Sequence, residues 1–308
     1  MNSVGKGFLY EIKKNRILYL MCVPALIILI MFSYIPFAGI WMAFTDFNVV
    51  DGIFGSKFVG LDNFKYFFSA NSMGWKVTYN TLYINFFGLI LGIIVPVSIA
   101  ILINEIRHKT YKKIAQSMMF FPYFISWVVV GAILYGIFST DVGVANQILK
   151  FFGAEPISWY SEPKYWKWII ILANVWKWSG YSSIIYIAAM ANFDGSLYEA
   201  AKVDGANKLQ RILYLTVPML KPTIIVLSLL SIGRIFYGDF GMIYGIVGNN
   251  PVLIDEVTVI DTYVYQSMRT LGFSYATAIG LFQSLMGLIL ITAANKSAKK
   301  INDGEGLF

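Results

Sequence analysis

The stretch Glu199-Ala-Ala-Lys-Val-Asp-Gly-Ala-Asn-Lys-Leu-Gln-Arg211 is the most polar long segment of a chain that is otherwise largely apolar. It lies between two apolar runs, at residues 168–190 and 222–233. A polar, helix-forming segment between two membrane spans has to face water, because charged groups are expensive to place in lipid. The sequence therefore predicts a loop at the membrane surface whose partner is a soluble protein.

The composition indicates an integral membrane protein. Of the 308 residues, 57% are hydrophobic and only 13% are charged, and the mean hydropathy is +0.64. A typical soluble domain has about 25% charged residues. Six apolar runs reach the ~20 residues that a membrane span needs. They cover residues 17–45, 77–103, 114–140, 168–193, 222–254 and 270–295.

These runs are predicted to be helices, because only helices and closed barrels satisfy backbone groups in lipid and barrel strands are shorter. The helix of the fifth run is predicted to end near Tyr244. The fold class is therefore an all-α integral membrane protein with six transmembrane helices. The first run is too long to be a cleavable signal peptide and contains Pro24 and Pro36.

The distribution of positive charge sets the orientation. Most of the 24 Lys and Arg residues lie before the first run, between the second and third, between the fourth and fifth, and after the sixth. The positive-inside rule places these segments and both termini in the cytoplasm. The net charge of +7 is then explained by the orientation of the chain and by attraction to anionic lipid. No nucleic-acid partner is expected.

These assignments predict the organisation of the whole chain. It has a cytoplasmic N-terminus at 1–18, a first transmembrane helix at 19–44, an extracellular segment at 45–76, a five-helix core at 77–295 that contains a cytoplasmic loop at 191–221, and a cytoplasmic tail at 296–308.

Several kinds of chemistry are absent from the sequence. The single Cys22 and the single His108 argue against a disulfide framework, a metal site, haem or a cysteine nucleophile. There is no Gly-rich Lys-Ser/Thr phosphate loop, so ATP hydrolysis would have to come from another subunit. No catalytic residues, no metal ligands and no cofactor of its own are expected in this chain.

The cytoplasmic loop is predicted to be a helix–turn–helix. Ser196 and Glu199 have the spacing of a capping box, which would start the first helix. Gly205 can adopt a positive φ and end that helix. An amphipathic second helix follows, and Pro218 and Pro222 are predicted to stop it before the fifth span.

The segment Leu197-Tyr-Glu-Ala-Ala-Lys-Val-Asp-Gly-Ala206, followed by a hydrophobic helix that ends at Pro218, resembles the signature loop of ABC importer permeases. Further segments resemble the oligo- and polysaccharide importer permeases. They are Ala-Phe-Thr-Asp-Phe at 43–47, Val-Gly-Leu-Asp-Asn-Phe at 59–64, Asn-Thr-Leu at 80–82, Pro-Tyr-Phe-Ile-Ser at 122–126, residues 176–186, and Tyr-Ala-Thr-Ala-Ile-Gly-Leu-Phe-Gln at 275–283. Two positions depart from that pattern: Tyr123, where many relatives carry His, and Lys177, where a neutral polar residue is common.

The resemblance implies a type I ABC importer permease fold in a bacterial cell membrane, with this chain as half of the pathway. It implies a second related permease, two cytoplasmic ATPase subunits that bind ATP and Mg²⁺, an external solute-binding protein, and a carbohydrate substrate. The surrounding membrane lipid is the remaining partner. The ATPase-coupling element would comprise Glu199, Ala200, Ala201, Asp204, Gly205, Ala206 and Arg211.

Polar and aromatic residues within the spans are candidates for the substrate pathway, because buried charges in membranes are usually functional. The set comprises Asn174, Lys177, Trp178, Tyr181, Arg234, Tyr237, Asp239 and Gln283. The first four share one helix face, and Arg234 and Tyr237 share another, with Asp239 about 140° around from Arg234. Lys177 and Arg234 would suit an acidic sugar. The alternative is a structural role in helix–helix contacts, such as an ion pair of Lys177 with Asp239, or contact of such a pair with a partner permease.

Other functions remain open at this level. A secondary transporter driven by an ion gradient would be insensitive to ATP depletion, although no inverted repeat is visible. An ABC permease for a non-sugar solute is a second alternative. A membrane enzyme acting on lipid or glycan would need paired carboxylates, and Asp239 is the only acid well inside a predicted span.

Overall fold

The computed structural model describes residues 8–70 and 72–301, which are mainly helical. The two strands found there, Thr45–Asp46 and Lys57–Phe58, form one short antiparallel pair. This confirms the all-α prediction. The first seven residues of the predicted cytoplasmic N-terminus and the last seven of the predicted tail lie outside the described residues.

Within the described residues, ten helices form the spans and their connections or carry the functional residues. They are α1 (Arg16–Phe44), α2 (Gly74–Asn104), α3 (Lys109–Phe124), α4 (Trp127–Phe138), α5 (Trp166–Met190), α6 (Gly195–Val203), α7 (Lys208–Ile232), α8 (Phe240–Val247), α9 (Ile260–Thr270) and α10 (Phe273–Ile301). Shorter helices and turns are Phe8–Lys14, Gly52–Gly55, Asp62–Phe67, Val144–Phe151, Trp159–Ser161, Pro163–Tyr165 and Pro251–Val257.

Four helices of the described residues are long and apolar enough to cross a membrane: α1, α2, α7 and α10. Helices α3 and α4 make a fifth span if the bent pair is counted as one. Helix α5 has 25 residues and is about 37 Å long, so its length also suffices, although its polar residues lower its hydropathy. Each of the six predicted runs thus contains a helical segment. The third and fifth runs are each divided into two helices.

The third run, 114–140, is predicted to be one helix, but it forms two. Helix α3 ends in the 3-10 turn Phe121–Phe124, and α4 begins at Trp127 with its axis turned by 101°. Pro122 in that turn has no N–H to donate, and Ile125 and Ser126 are extended. The Ser126 side chain then accepts from the N–H of Val129 at 3.4 Å and caps α4. Hydropathy does not detect such a break, because the apolar run 114–140 continues through it without a charged residue.

The predicted helix end near Tyr244 in the fifth run is also wrong. Helix α7 ends at Ile232, a turn occupies residues 233–239, and α8 begins at Phe240. The carboxylate of Asp239 accepts from the N–H of Met242 at 2.8 Å and is the N-cap of α8. The predicted angle between Arg234 and Asp239 on one helix therefore does not apply.

The prolines after the cytoplasmic loop do not end the second helix, contrary to the prediction. Helix α7 continues through Pro218 and Pro222, and a π turn at Ile212–Thr216 precedes Pro218. Helix α1 has the same arrangement, with a π turn at Ile30–Tyr34 before Pro36. A proline ring clashes with the carbonyl four residues earlier, and the wider turn moves that carbonyl aside.

The core lies where α2, α4, α5 and α8 meet, and α2 packs along α5 for most of its length. Helices α4 and α8 approach at two glycines: a Cβ on Gly131 would lie 2.3 Å from the carbonyl oxygen of Gly245. Helix α1 lies outside this core and contacts α10 through its second half. The predicted limits of the cytoplasmic, membrane and extracellular segments stay predictions.

Candidate functional site

A cavity of about 530 Å³ lies between α2, α5 and α7. Helix α2 contributes an apolar wall that includes Gly88, Gly92 and Pro96. A Cβ built on either glycine would have no atom within 4 Å, so the two glycines widen the open space. Helix α5 and the end of α7 contribute the polar and aromatic wall.

Four of the eight predicted pathway residues line this cavity: Asn174, Trp178, Tyr181 and Arg234. The two aromatic side chains remain 39% and 41% exposed. The guanidinium of Arg234 is exposed and forms no hydrogen bond or ion pair within the described part of the chain. A free cation in a membrane-embedded cavity is a candidate binding group for an anion.

Two aromatic rings at the C-terminal end of α3 pack against this wall. The ring of Tyr123 stacks on that of Tyr181 at 4.6 Å and 13°, and Phe120 stacks on Tyr123 at 5.5 Å. Trp178 meets Tyr123 edge-on at 5.3 Å. We call Phe120, Tyr123, Trp178 and Tyr181 the aromatic platform. Flat apolar rings next to hydrogen-bonding groups suit the apolar faces and hydroxyl groups of sugars.

The other four predicted pathway residues do not line the cavity and instead contact other helices. The Tyr237 hydroxyl donates to Ser284 Oγ at 3.2 Å. Gln283 Nε2 donates to the Phe236 carbonyl at 2.9 Å and to Asp261 at 2.7 Å. The remaining two, Lys177 and Asp239, form no direct ion pair in the described structure.

Lys177 and Asp239 are joined through Trp127. The Lys177 ammonium lies 5.3 Å from the centre of the Trp127 ring, and the Trp127 indole N–H donates to Asp239 at 2.9 Å. Lys177 itself is 6% exposed and donates to backbone carbonyls at the bend between α3 and α4. The interpretation of the pair as helix–helix contact fits this geometry better than a direct pathway role.

Three side chains hold the turn at 233–239, which carries Arg234: Asn85 of α2, Asp261 of α9 and Gln283 of α10. Asn85 Nδ2 donates to the carbonyls of Ile235 and Tyr237, at 2.8 Å each. Asp261 accepts from the N–H of Gly238. Non-helical backbone at membrane depth needs such partners, since lipid supplies none.

Asn85 and Asp261 are not among the residues predicted from the sequence. The available signal for Asn85 was an amide in a long apolar run. No feature of the sequence indicates a role for Asp261, because it lies between the fifth and sixth runs, in a segment predicted to be outside the membrane.

The cytoplasmic loop has the predicted two helices but a different cap. The Asp194 carboxylate accepts from the N–H of Ser196 at 2.9 Å and starts α6, so the predicted Ser196–Glu199 capping box is wrong. That hydrogen bond lowers the pKa of Asp194. A capping box does occur at the start of α7, between Asn207 and Gln210. Gly205 has φ +80°, which confirms the predicted positive φ.

A pocket of about 370 Å³ opens between α6 and the start of α7. Five of the seven predicted coupling residues line it: Ala201, Asp204, Gly205, Ala206 and Arg211. Glu199 and Ala200 lie outside it on the exposed face of α6, where Val203 is 87% exposed.

Two contacts tie this loop to the spans. The hydroxyls of Tyr198 in α6 and Thr216 in α7 lie 3.0 Å apart. The Lys208 ammonium pairs with Glu105, just after α2, at 3.2 Å. The first contact joins α6 to α7 and the second joins α7 to the end of α2, so a force on α6 would reach α2 through α7.

An ion-pair cluster lies near the first turns of α2 and α5. Glu256 accepts from Lys167 at 2.6 Å and from Lys76 at 3.5 Å. Burial alone would raise the pKa of Glu256, but the two ammonium groups outweigh it, and the net shift is downward. This cluster joins the two helices that form the longest contact in the core.

Comparison with known proteins matches residues 88–302 to the family described as "binding-protein-dependent transport system inner membrane component". Protein LplB of Bacillus subtilis (strain 168) is 37% identical over 99% of this chain and 96% of its own length. The polygalacturonan/rhamnogalacturonan transport system permease protein YteP of the same organism is 36% identical, over 98% of this chain and 94% of its own.

A solved structure has the same fold. It is a chain of a bacterial ABC transporter involved in the import of the acidic polysaccharide alginate, with a TM-score of 0.86 and 31% identity. The match covers 96% of this chain and 99% of that one. These findings confirm the predicted resemblance to ABC importer permeases and the membrane location. The chain belongs to the family of binding-protein-dependent transport system inner membrane components.

Proposed function

We propose that this chain is a permease subunit of an ATP-driven importer for acidic oligosaccharides. The observation that carries the proposal is the unpaired guanidinium of Arg234 at a membrane cavity that also holds Trp178 and Tyr181. A guanidinium binds a carboxylate through two parallel hydrogen bonds, which are stronger than bonds between neutral groups. The aromatic platform supplies faces for the sugar rings.

The rest of the cavity fits the same substrate class. Its volume of about 530 Å³ lies within the range of ~300–1,000 Å³ that small-molecule sites have. Asn174, Ser182 and Ser231 provide amide and hydroxyl groups for sugar hydroxyls. No carboxylate lines the cavity within the described residues, so an anionic sugar would meet no like charge there.

Two relatives support an acidic substrate. YteP is named for polygalacturonan and rhamnogalacturonan, which contain sugar acids. The solved structure is of a transporter for alginate, which its description calls an acidic polysaccharide. Both match nearly the whole of this chain.

The partners are proposed from the family and from the loop. A solute-binding protein would deliver the substrate, as the family's description implies. A second permease would complete the pathway, and two ATPase subunits would bind ATP and Mg²⁺ and dock on α6 and its pocket. Helix α6 is exposed, and the contacts of Tyr198 in α6 and of Lys208 in α7 connect this loop to the spans. Transport would proceed by alternating access, with nucleotide-driven movement of α6 tilting α7.

The test is uptake by the complete transporter with its binding protein in proteoliposomes. Labelled oligogalacturonates would be compared with matched oligosaccharides whose carboxylates have been reduced to alcohols. We expect Arg234→Gln to raise KM for the charged substrate by about tenfold, equivalent to ~1.4 kcal/mol, and to change KM for the neutral one by less than about twofold.

Lys221→Gln is the matched control, since this exposed cation lies on α7 away from the cavity. It should leave both KM values unchanged. Equal transport of charged and neutral substrates by the unmodified protein would contradict the proposed substrate class, as would equal effects of Arg234→Gln on both.

A further inference from the structure

Lys177 is a buried cation inside the membrane, and it does not line the cavity. Its ammonium donates to the carbonyls of Tyr123 at 2.8 Å and Pro122 at 3.3 Å, and to that of Ile125. An ammonium has three N–H groups, and the three carbonyls use all of them. No donor is left for a substrate.

Of these three carbonyls, that of Pro122 also accepts from the N–H of Ile125 at 3.2 Å, while Lys177 is the donor to the other two. They lie in the 3-10 turn that ends α3 and in the extended residues before α4. The last carbonyls of a helix have no partner within it, and the lipid interior offers no water. The negative end of the helix dipole also favours a cation there. Lys177 thus closes the C-terminal end of α3 and joins the bend to α5.

The bend in turn positions the platform. Tyr123 belongs to the clamped segment, and its ring stacks on Tyr181 of α5 at 4.6 Å. The two backbones are in close contact beside it, since a Cβ on Gly180 would lie 1.7 Å from the carbonyl oxygen of Met119. Tyr181 and Trp178 face the cavity, and Tyr123 supports both from behind.

We propose that Lys177 is a positioning residue that clamps the α3–α4 bend and thereby holds Tyr123 against the cavity wall formed by Trp178 and Tyr181. It acts on substrate affinity through backbone geometry and does not bind the sugar. The role rests on the proposed use of this cavity for transport. It is independent of whether the transported sugar is acidic.

The experiment measures KM and Vmax for uptake by the complete transporter, with a charged and a neutral oligosaccharide. Lys177→Met keeps the length of the side chain but removes its donors. We expect KM to rise about tenfold for both substrates, with Vmax reduced less than about threefold. Lys177→Arg keeps a cation with several donors and should bring KM back to within about threefold of the unmodified protein. Lys113→Met, at an exposed lysine of α3, is the control and should leave KM unchanged.

A double variant separates positioning from direct binding. Tyr123→Ala should raise KM as Lys177→Met does. The KM of the double variant should stay within about twofold of that of the worse single variant, because both substitutions remove the same support of the cavity wall. Additive effects would overturn the proposal, and so would an effect of Lys177→Met confined to the charged substrate, or no rescue by Lys177→Arg.

A third comparison keeps the test decisive if Lys177→Met does not reach the membrane. Tyr123→Phe retains the ring and should keep KM within about threefold, while Tyr123→Ala should raise it about tenfold for both substrates. An unchanged KM for Tyr123→Ala would overturn the role of the clamp. The Arg234 variants report on the acidic substrate class alone, so failure of that class and failure of the clamp give different results.

Discussion

The hydroxyl of Tyr198 lies 3.0 Å from the hydroxyl of Thr216, which links the exposed helix α6 to the π turn of α7. Thr216 is buried, and α7 runs from this turn without interruption to Ile232. The contact therefore joins the proposed ATPase-docking surface to the helix that leads to the cavity.

Removing this contact should weaken coupling. Tyr198→Phe keeps the ring and deletes one hydrogen bond, whose net contribution is about 1 kcal/mol. We expect fewer substrate molecules to be imported per ATP hydrolysed, with protein abundance unchanged. The measurement is the ratio of uptake to ATP hydrolysis in proteoliposomes. Tyr111→Phe, at an exposed tyrosine on α3, is the control, and the hypothesis fails if both variants give the same ratio.

Gly205 should tolerate no larger residue. At φ +80° a side chain with a Cβ costs about 1–2 kcal/mol in an L-residue, and a β-branched one costs more. Gly205→Val should change the direction of the chain between α6 and α7, and abolish transport and binding of the ATPase while leaving membrane insertion intact. Co-purification of the ATPase subunits is the readout.

Gly195→Ala is the matched control for Gly205→Val. Gly195 lies at the start of α6, and a Cβ there meets no atom within 4 Å. Retained ATPase binding in Gly205→Val would show that the turn does not determine docking.

Asp261 should stabilise the turn that carries Arg234. Asp261→Leu leaves the N–H of Gly238 and one donor of Gln283 without a partner, at about 1–3 kcal/mol for each buried group. Asp261→Asn retains an acceptor and should be milder. We expect the midpoint of thermal unfolding in detergent to be highest for the unmodified protein, lower for Asp261→Asn and lowest for Asp261→Leu. Midpoints of both variants equal to that of the unmodified protein would mean that Asp261 does not stabilise the turn.

The ion-pair cluster at Glu256 predicts a pH dependence. Its lowered pKa means that the folded state favours the carboxylate, so this contribution is present above the unfolded value, near 4.5. It is lost as the pH falls through the lower folded value. Because Glu256 is partly exposed, Glu256→Gln should cost less than about 1 kcal/mol at neutral pH.

The measurement is the unfolding midpoint of both proteins from pH 7 to pH 3. The difference between them should be constant near neutral pH and shrink in acid. Glu162→Gln, which breaks the exposed pair with Lys164, is the control and should change the midpoint less. A difference that grows in acid would contradict the assigned direction of the shift.

The long helices could be predicted from the sequence, because apolar length alone requires them. The breaks could not, since they depend on which polar side chain meets which backbone group. Asp239 interrupts an apolar run and was assigned to a helix face, yet it caps α8. Lys177 was a candidate for sugar binding, and its partners are carbonyls more than fifty positions earlier in the chain.

The cavity was predictable in part for a related reason. Asn174, Trp178 and Tyr181 share a face of one regular helix, so their spacing was sufficient to group them. The cytoplasmic loop was found because its residues are contiguous. Asn85 and Asp261 act at a turn formed by a distant segment, and no local spacing identifies such partners.

Helix α7 connects the cytoplasmic loop to the residue before the Arg234 turn as one rod of 25 residues, about 37 Å long. A tilt of ~10° about its lower end would carry its upper end sideways by roughly 6 Å. Hydrogen bonds between a guanidinium and a carboxylate span less than about 3 Å. A small rotation at one membrane surface would therefore be enough to withdraw the cation from an anion bound in the cavity.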